Sequence, residues 1–138
     1  MPPVNKIKTA MLIDDSEADQ LLYSMVMERS GYIDNVITFT YADEALDYIK
    51  QPDRDSIDVI FLDINMPRMD GFEFLEAASS ELGDKFAKAV IVMLTTSLDP
   101  KDHERADHYS VVKDFINKPL TVEHIENVIK LLSSQESI

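Results

Sequence analysis

The chain has 138 residues, of which 45% are hydrophobic and 28% are charged, and this composition is typical of one globular domain with a single core. Acidic residues number 26 against 13 lysines and arginines, and the resulting net charge of −13 opposes binding to nucleic acid. The absence of cysteine excludes disulfides and thiolate metal sites. Every apolar run is far shorter than the roughly 18 residues that a membrane helix needs, so we expect a cytoplasmic protein that binds no membrane.

The first predicted strand, Ala10–Ile13, is a short apolar run that ends at two aspartates. A helical pattern follows, with Ser16 placed to cap its first turn and Gly31 placed to end it. Apolar side chains recur there at intervals of three and four residues, which predicts a stripe that faces a sheet. The stripe consists of Ala18, Leu21, Leu22, Met25 and Val26.

The middle of the chain repeats this alternation of strand and helix. Val36–Phe39 and Val59–Leu62 predict the second and third strands. The helix between them ends before Pro52, and the following helix is expected to begin near Gly71 or Phe72. The predicted core-facing residues are Ala42, Ala45, Leu46 and Ile49 in the second helix and Leu75, Ala78 and Leu82 in the third.

Two strands and two unequal helices complete the chain. Ala89–Leu94 and Val111–Ile116 predict strands, and the segment between them predicts a weakly anchored helix, since only Ala106 and Tyr109 offer apolar surface after Pro100. The alternation of five strands with five helices predicts an α/β fold with a mainly parallel sheet covered on both faces. The last helix carries Thr121 as its cap and Val122, Ile125, Val128, Ile129 and Leu132 as its apolar face.

Residues with useful chemistry follow several of the predicted strands. Ligands of a parallel sheet gather at the carboxyl ends of its strands. Asp14 and Asp15 follow the first strand, Asp63 the third, Thr95 the fourth and Lys118 the fifth. Each alone has an ordinary explanation, because acids cap helices and a lysine often faces solvent. Three carboxylates, a hydroxyl and an ammonium at one sheet edge together predict a functional site.

Three carboxylates in one place need a counter-charge. Two carboxylates about 4 Å apart repel by roughly 4 kcal/mol at an effective dielectric constant of about 20. Mg²⁺ prefers oxygen ligands and keeps waters and phosphate oxygens in its shell, so we expect it at Asp14, Asp15 and Asp63. With Lys118 neutralising further charge and Thr95 donating a hydrogen bond, Asp63 can attack phosphorus and form an aspartyl phosphate.

The chain resembles the receiver domain of two-component response regulators, of the single-domain, CheY-like kind. The resemblance runs from Lys8 to about Leu132 and rests on four segments, LIDDS, DVIFLDINMPRMDGFEFL, VIVMLTTS and DFINKPL, besides the α/β alternation. It implies a flavodoxin-like, doubly wound sheet of five parallel strands in the order 2-1-3-4-5, with five helices. It also implies that residues 1–138 form a single receiver domain, with a core of about 8–132 and short frayed ends.

The resemblance assigns a role to each acid at the sheet edge. Asp63 would be the phosphoacceptor, in a Mg²⁺-dependent reaction with the phosphohistidine of a sensor histidine kinase or a histidine phosphotransfer protein. Asp15 and Asp63 would bind Mg²⁺ directly, together with the backbone carbonyl of Asn65. Asp14 would act on the ion through a water molecule.

The resemblance further implies a conformational switch. Thr95 and Lys118 would hold the phosphoryl group, and the Lys118–Pro119 peptide bond would be cis. Phe115 stands at the position of the family's switch aromatic. Movement of Thr95 and Phe115 would change the face made by helix 4, strand 5 and helix 5, where a partner binds. Phe115 lacks the hydroxyl of a tyrosine, so packing must select its inward rotamer.

Three other functions use related residues. A Mg²⁺-dependent phosphohydrolase also forms an aspartyl phosphate, but haloacid dehalogenase-like enzymes carry a second acid where this chain has Asn65. A flavodoxin-type cofactor binder would need a phosphate-binding first loop, whereas the loop DDSEAD carries four acids. An adaptor that works without phosphorylation would not need the full set of site residues. We therefore expect a phosphoacceptor that catalyses only its own phosphorylation and slow autodephosphorylation.

The expected output is binding to another protein. No DNA-binding, cyclase or kinase segment is recognisable after residue 132, which favours a single-domain regulator. The residues do not identify the downstream target, and a second copy of the chain is kept as a further candidate partner. Nucleic acid and membrane are not expected partners.

Overall fold

Strands and helices alternate through the part of the chain that this computed structural model describes, residues 6–53, 56–83, 90–96 and 98–136. The strands are β1 (Ile7–Ile13), β2 (Ile33–Phe39), β3 (Val59–Asp63), β4 (Val90–Thr95) and β5 (Val112–Asn117). The helices are α1 (Glu17–Ser30), α2 (Ala42–Lys50), α3 (Gly71–Leu82), α4 (Pro100–Asp107) and α5 (Val122–Glu136).

The five strands form one parallel sheet in the order β2-β1-β3-β4-β5, which confirms the predicted flavodoxin-like topology. The register aligns the strand ends at one edge. Ile13 pairs with Leu62, and Asp63 pairs with Leu94. The residues that follow β1, β3 and β4 are therefore neighbours in space, although up to 82 positions separate them along the chain.

The sheet separates two hydrophobic clusters. The front cluster lies under α2, α3 and α4 and includes Leu46, Phe72 and Ala106. The rear cluster lies under α1 and α5 and includes Met27 and Val128. The two clusters use alternate residues of the central strands, because successive side chains of a strand point to opposite faces.

Side-chain caps fix the starts of four helices, and in one of them, α4, the Asp99 carboxylate accepts from the Lys101 amide at 3.0 Å. The Ser16 hydroxyl accepts a hydrogen bond from the Asp19 amide at 3.2 Å, as predicted for the first helix. Asp70 forms a reciprocal capping box with Glu73 at the start of α3. The Thr121 hydroxyl accepts from the His124 amide at 3.3 Å, which confirms Thr121 as the cap of the last helix.

The predicted core face of α1 is wrong. Leu21, Leu22 and Met25 are 67%, 50% and 37% exposed, respectively, and Ala18 is also exposed. Val26 of the same predicted stripe is partly buried against the rear cluster. The residues that face the sheet are Tyr23 and Met27, at 2% and 0% exposure.

Polar contacts explain this rotation of α1. The Gln20 side-chain amide donates to the Asp14 carbonyl at 2.6 Å and contacts the Thr40 hydroxyl at 3.1 Å. Asp19, in the first turn of the same helix, binds Lys118. These contacts turn the Asp19–Gln20 side of the helix towards the edge of the sheet, and the apolar stripe is left facing solvent.

Smaller differences occur at element ends. β1 and β2 begin three residues before the predicted starts, since Ile7 pairs with Ile33 and Thr9 with Asn35 through mixed polar and apolar sequence. Val122 in α5 is 39% exposed and does not join the core. Ala89 of the predicted fourth strand and most of the predicted frayed ends, residues 1–5 and 137–138, lie outside the described residues. No helix in the described ranges combines the length and the hydropathy needed to cross a membrane.

Candidate functional site

Three aspartates meet at the carboxyl edge of the sheet. Asp14 and Asp15 follow β1 directly, and Asp63 is the last residue of β3. Asp14 is fully buried, Asp63 is 6% exposed and Asp15 is exposed. One carboxylate oxygen from each lies within 4.8 Å of the others. The structure therefore brings together the three acids that the sequence predicts to be neighbours.

Gly71 allows α3 to approach Asp63 closely. A Cβ atom at position 71 would lie 2.6 Å from the Asp63 carbonyl oxygen, a distance that side chains do not tolerate, and a tight 3.0 Å from the Ile64 Cα. The Gly71 amide instead donates to the Ile64 carbonyl at 2.8 Å. The loop after Asp63 is thus held against the start of α3 by a contact that only glycine permits.

Asp14 is fixed through both of its carboxylate oxygens. Oδ1 accepts from the Ser16 amide at 2.9 Å, and Oδ2 accepts from Lys118 Nζ at 2.8 Å. The first contact is the helix-terminus role that an acid often has, and the second belongs to the site. Both carboxylate oxygens of Asp14 are thus engaged within the protein.

Lys118 supplies the positive charge at the centre of the acids. Its Nζ lies 2.8 Å from Asp14, 2.9 Å from Asp19 and 3.7 Å from Asp63, and its side chain is 9% exposed. The Lys118 amide donates to the Thr95 carbonyl at 2.8 Å, which ties the end of β5 to the end of β4. The Lys118–Pro119 peptide bond that follows is cis.

Burial and charge shift the titration of this site. Burial raises the pKa of Asp63 to about 7, the lysine opposes the rise, and the charges of Asp14 and Asp15 and a hydrogen bond with Asp15 add to it. Burial lowers the pKa of Lys118, but hydrogen bonds to Asp14 and Asp19 and the charge of Asp63 outweigh this, and the pKa lies above its usual value. The ammonium is therefore charged at every physiological pH.

The remaining predicted site residues lie around this centre. Thr95 ends β4 and is fully buried, whereas Asn65 is exposed two residues beyond β3. Phe115 in β5 is partly buried against the front cluster. The Phe115 ring centroid lies 3.7 Å from that of His103 in α4, so the predicted switch aromatic contacts the fourth helix directly.

Two charged residues near the site were missed in the sequence. Asp19 binds Lys118. It could have been predicted as the fourth acid of DDSEAD, since it lies one helical turn after Asp15. Arg68, in the loop after β3, has a φ of 70° and pairs with Asp43. Its guanidinium lies 4.0 Å from the Tyr41 ring centroid, so it joins this loop to the start of α2. The pairing of Arg68 with Asp43 has no recognisable signal in the sequence.

The acidic centre fits a divalent cation. Its donors are carboxylate oxygens, the spacing of these oxygens is small enough for one ion to contact more than one of them, and their mutual repulsion favours a cation. Asp14, Asp15 and Asp63 are the residues whose carboxylates would hold such an ion.

Comparison with known proteins assigns the family. The profile of the response regulator receiver domain matches residues 10–130. The chain belongs to this family. Receiver domains act with histidine kinases in two-component phosphorelay signalling and typically use Mg²⁺ at an acidic pocket.

Individual relatives agree with this assignment. The receiver domain is 29% identical over 130 residues to hybrid signal transduction histidine kinase L of Dictyostelium discoideum, covering 93% of this chain and 7% of that protein. It superposes on a two component response regulator from Cytophaga hutchinsonii with a TM-score of 0.84 and 25% identity, covering 92% of this chain and 97% of the other. The chemotaxis protein CheY4 of Vibrio cholerae gives a TM-score of 0.75 and 26% identity, with 91% and 98% covered.

The lengths of the curated relatives differ widely from that of this chain. The chain spans 7% and 6% of two hybrid kinases and 20% of a plant response regulator. The shared part is therefore the receiver domain, and the other activities of those proteins are not transferred with it.

Proposed function

We propose that this receiver domain accepts a phosphoryl group from the phosphohistidine of a sensor histidine kinase or a histidine phosphotransfer protein onto Asp63. The observation that carries the proposal is the position of Asp63 at the end of β3, among Asp14, Asp15 and Lys118. An oxygen of the Asp63 carboxylate attacks phosphorus, the phosphorus–nitrogen bond of the donor breaks, and its electron pair stays on the histidine ring.

The other acids and Lys118 manage charge during this step. Asp15 and Asp63, with the Asn65 backbone carbonyl, would hold Mg²⁺, and Asp14 would reach it through water. The ion supplies neutralisation of the negative charge on the transferred group. Lys118 already lies 3.7 Å from Asp63 and needs only a small movement to contact a phosphoryl oxygen. Thr95 at the end of β4 would donate a hydrogen bond to another phosphoryl oxygen.

The added group changes the surface beyond the site. A phosphoryl group brings a charge of about −1.5 to −2 and three acceptor oxygens. Movement of Thr95 towards it opens space for Phe115, and the contact between Phe115 and His103 carries the change to α4. The face made by α4, β5 and α5 then differs between the two states, and a downstream protein binds the phosphorylated one.

The α4 helix suits such a change because its anchorage is slight. It has eight residues, and Ala106 is its only buried residue. Tyr109, just after the helix, hydrogen-bonds Glu76 through its hydroxyl at 2.6 Å and lies beside the Phe72 ring. Few apolar contacts need to break for the helix to move.

The proposal is tested by incubation with acetyl phosphate and Mg²⁺, followed by intact mass spectrometry. We expect wild type to gain one phosphoryl group and Asp63→Asn to gain none. Asp47→Asn, an exposed aspartate on α2, is the matched control and is expected to behave as wild type. No Asp63-dependent gain of mass would refute the proposal, and many-turnover release of phosphate from small substrates would indicate a phosphohydrolase instead.

A further inference from the structure

Asp19 makes a contact at the site that the proposed function does not use. Its Oδ2 lies 2.9 Å from Lys118 Nζ. One helical turn further along α1, the Tyr23 ring centroid lies 5.8 Å from the same nitrogen. One face of α1 therefore surrounds the lysine that is expected to hold the phosphoryl group.

The ammonium is committed to two carboxylates in this structure. A lysine has three N–H donors. Asp14 and Asp19 each lie within 2.9 Å of Nζ, whereas Asp63 at 3.7 Å is beyond hydrogen-bonding distance. Lys118 thus rests near the phosphoacceptor without a hydrogen bond to it.

We propose that Asp19 is a positioning residue that holds Lys118 in this resting place and competes with a phosphoryl group on Asp63 for the Lys118 ammonium. The proposal rests on the proposed function of Asp63. It makes the contact between Lys118 and Asp19 the one that is given up when the site is phosphorylated.

Asp14 and Asp19, the two carboxylates that bind Lys118, are unequally buried, and this favours release of Asp19. The Asp14 side chain is fully buried and also bonded to the Ser16 amide, so it cannot turn away to water. The Asp19 side chain is 32% exposed, and water can solvate its carboxylate when the lysine leaves. Releasing Asp19 therefore costs less than releasing Asp14. Asp19 also adds a negative charge that repels the incoming phosphoryl group.

The first experiment measures the resting contact without any phosphodonor. Chemical shifts of Lys118 Cε and Nζ are compared by NMR among wild type, Asp19→Asn and Glu17→Gln. Glu17 is an exposed acid in the same first turn, so its variant removes the same charge without touching the lysine. We expect Asp19→Asn to move the Lys118 signals and Glu17→Gln to leave them in place. Unmoved signals in Asp19→Asn would show that Asp19 does not hold the lysine.

The second experiment measures competition at equilibrium. The probe is beryllofluoride with saturating Mg²⁺, which mimics a phosphoryl group on a carboxylate. We expect Asp19→Asn to lower the apparent Kd about threefold to tenfold. Glu17→Gln is expected to change it by less than about twofold. Asp19→Glu, which keeps the charge, should resemble wild type.

A double-mutant cycle isolates the pair. In a Lys118→Gln background, Asp19→Asn is expected to have no more effect than Glu17→Gln, because no ammonium remains for Asp19 to hold. Weaker or unchanged binding in Asp19→Asn, while wild type binds the probe, would overturn the competition alone. Failure of wild type to bind the probe would overturn both the competition and the proposed function, and the NMR comparison would still report whether Asp19 holds Lys118.

Discussion

At Asp63 a carboxyl group is buried beside two other carboxyl groups and one ammonium. Burial disfavours its charged form, the neighbouring acids add to that effect, and Lys118 opposes it only in part. The result is a pKa of about 7 in place of the usual 3.8. The carboxyl group that we propose as phosphoacceptor therefore lies in surroundings that disfavour its charged form, and a divalent cation would favour that form.

This shift predicts a pH dependence of stability in metal-free buffer. Between the unfolded pKa of 3.8 and the folded pKa of about 7, the folded protein binds a proton that the unfolded chain does not. Stability should therefore fall as pH rises through this window and level off above it. Asp63→Asn removes this titrating group. After allowance for solvent screening, we expect its free energy of unfolding at pH 8 to exceed that of wild type by about 2 kcal/mol.

Urea unfolding of wild type and Asp63→Asn at several pH values between 4 and 8 measures this difference. The difference in the free energy of unfolding should become smaller towards pH 4, where Asp63 of wild type is also neutral. Asp47→Asn on the exposed side of α2 provides the control for loss of one negative charge. A difference that is the same at every pH would contradict the shifted pKa of Asp63.

At the scale of the element, α1 carries two methionines whose burial is the reverse of the sequence prediction, which places Met25 and not Met27 on the core-facing stripe. Met25 is 37% exposed, and Met27, two positions later, is fully buried in the rear cluster. We expect Met27→Ala to lower the free energy of unfolding by about 2–5 kcal/mol, because it leaves a cavity. Met25→Ala should change it by less than about 0.5 kcal/mol.

Chemical denaturation of the two variants decides the orientation of α1. They differ from wild type by the same side-chain deletion in the same helix, so each is the control for the other. A larger loss in Met25→Ala would mean that the apolar stripe predicted from the sequence faces the core after all.

Periodicity predicted the faces of some helices and not of others, for an identifiable reason. In α2 the apolar residues are few and lie on one side, and Ala42, Ala45, Leu46 and Ile49 are all buried as predicted. In α1 apolar residues surround much of the helix, so the hydrophobic pattern alone leaves the rotation open. Gln20 and Asp19 then set it through contacts with residues distant in sequence, which periodicity does not contain.

The candidate site was predictable where it depends on strand ends and not where it depends on helix rotation. Asp14, Asp15, Asp63 and Lys118 meet because the carboxyl ends of parallel strands meet. The Lys118–Asp19 contact depends on which side of α1 faces the sheet, and the predicted stripe placed that side wrongly. The strand order came from the resemblance to receiver domains, since five alternating strands and helices are compatible with several orders.

At the scale of the whole molecule, the net charge of −13 is concentrated in part at the site. A cation that binds only the folded protein stabilises it by mass action. At a Mg²⁺ concentration about ten times its Kd, we expect about 1.4 kcal/mol of added stability and a higher Tm. Asp15→Asn should remove most of this gain, because it deletes the exposed carboxylate of the three that we propose to hold the ion.

Thermal unfolding with and without Mg²⁺ checks this linkage. Potassium chloride of equal ionic strength controls for general screening of a highly acidic chain. An equal rise of Tm in both salts, or an equal response of wild type and Asp15→Asn to Mg²⁺, would count against a specific site.

The residues around the site pack against both of the hydrophobic clusters that the sheet separates. Phe115 belongs to the front cluster, and Leu120, two residues after Lys118, is buried in the rear cluster beside α5. Residues at the same sheet edge thus connect to opposite sides of the molecule. A displacement of the strand ends at this edge would therefore be felt in both clusters, towards α4 through Phe115 and towards α5 through Leu120.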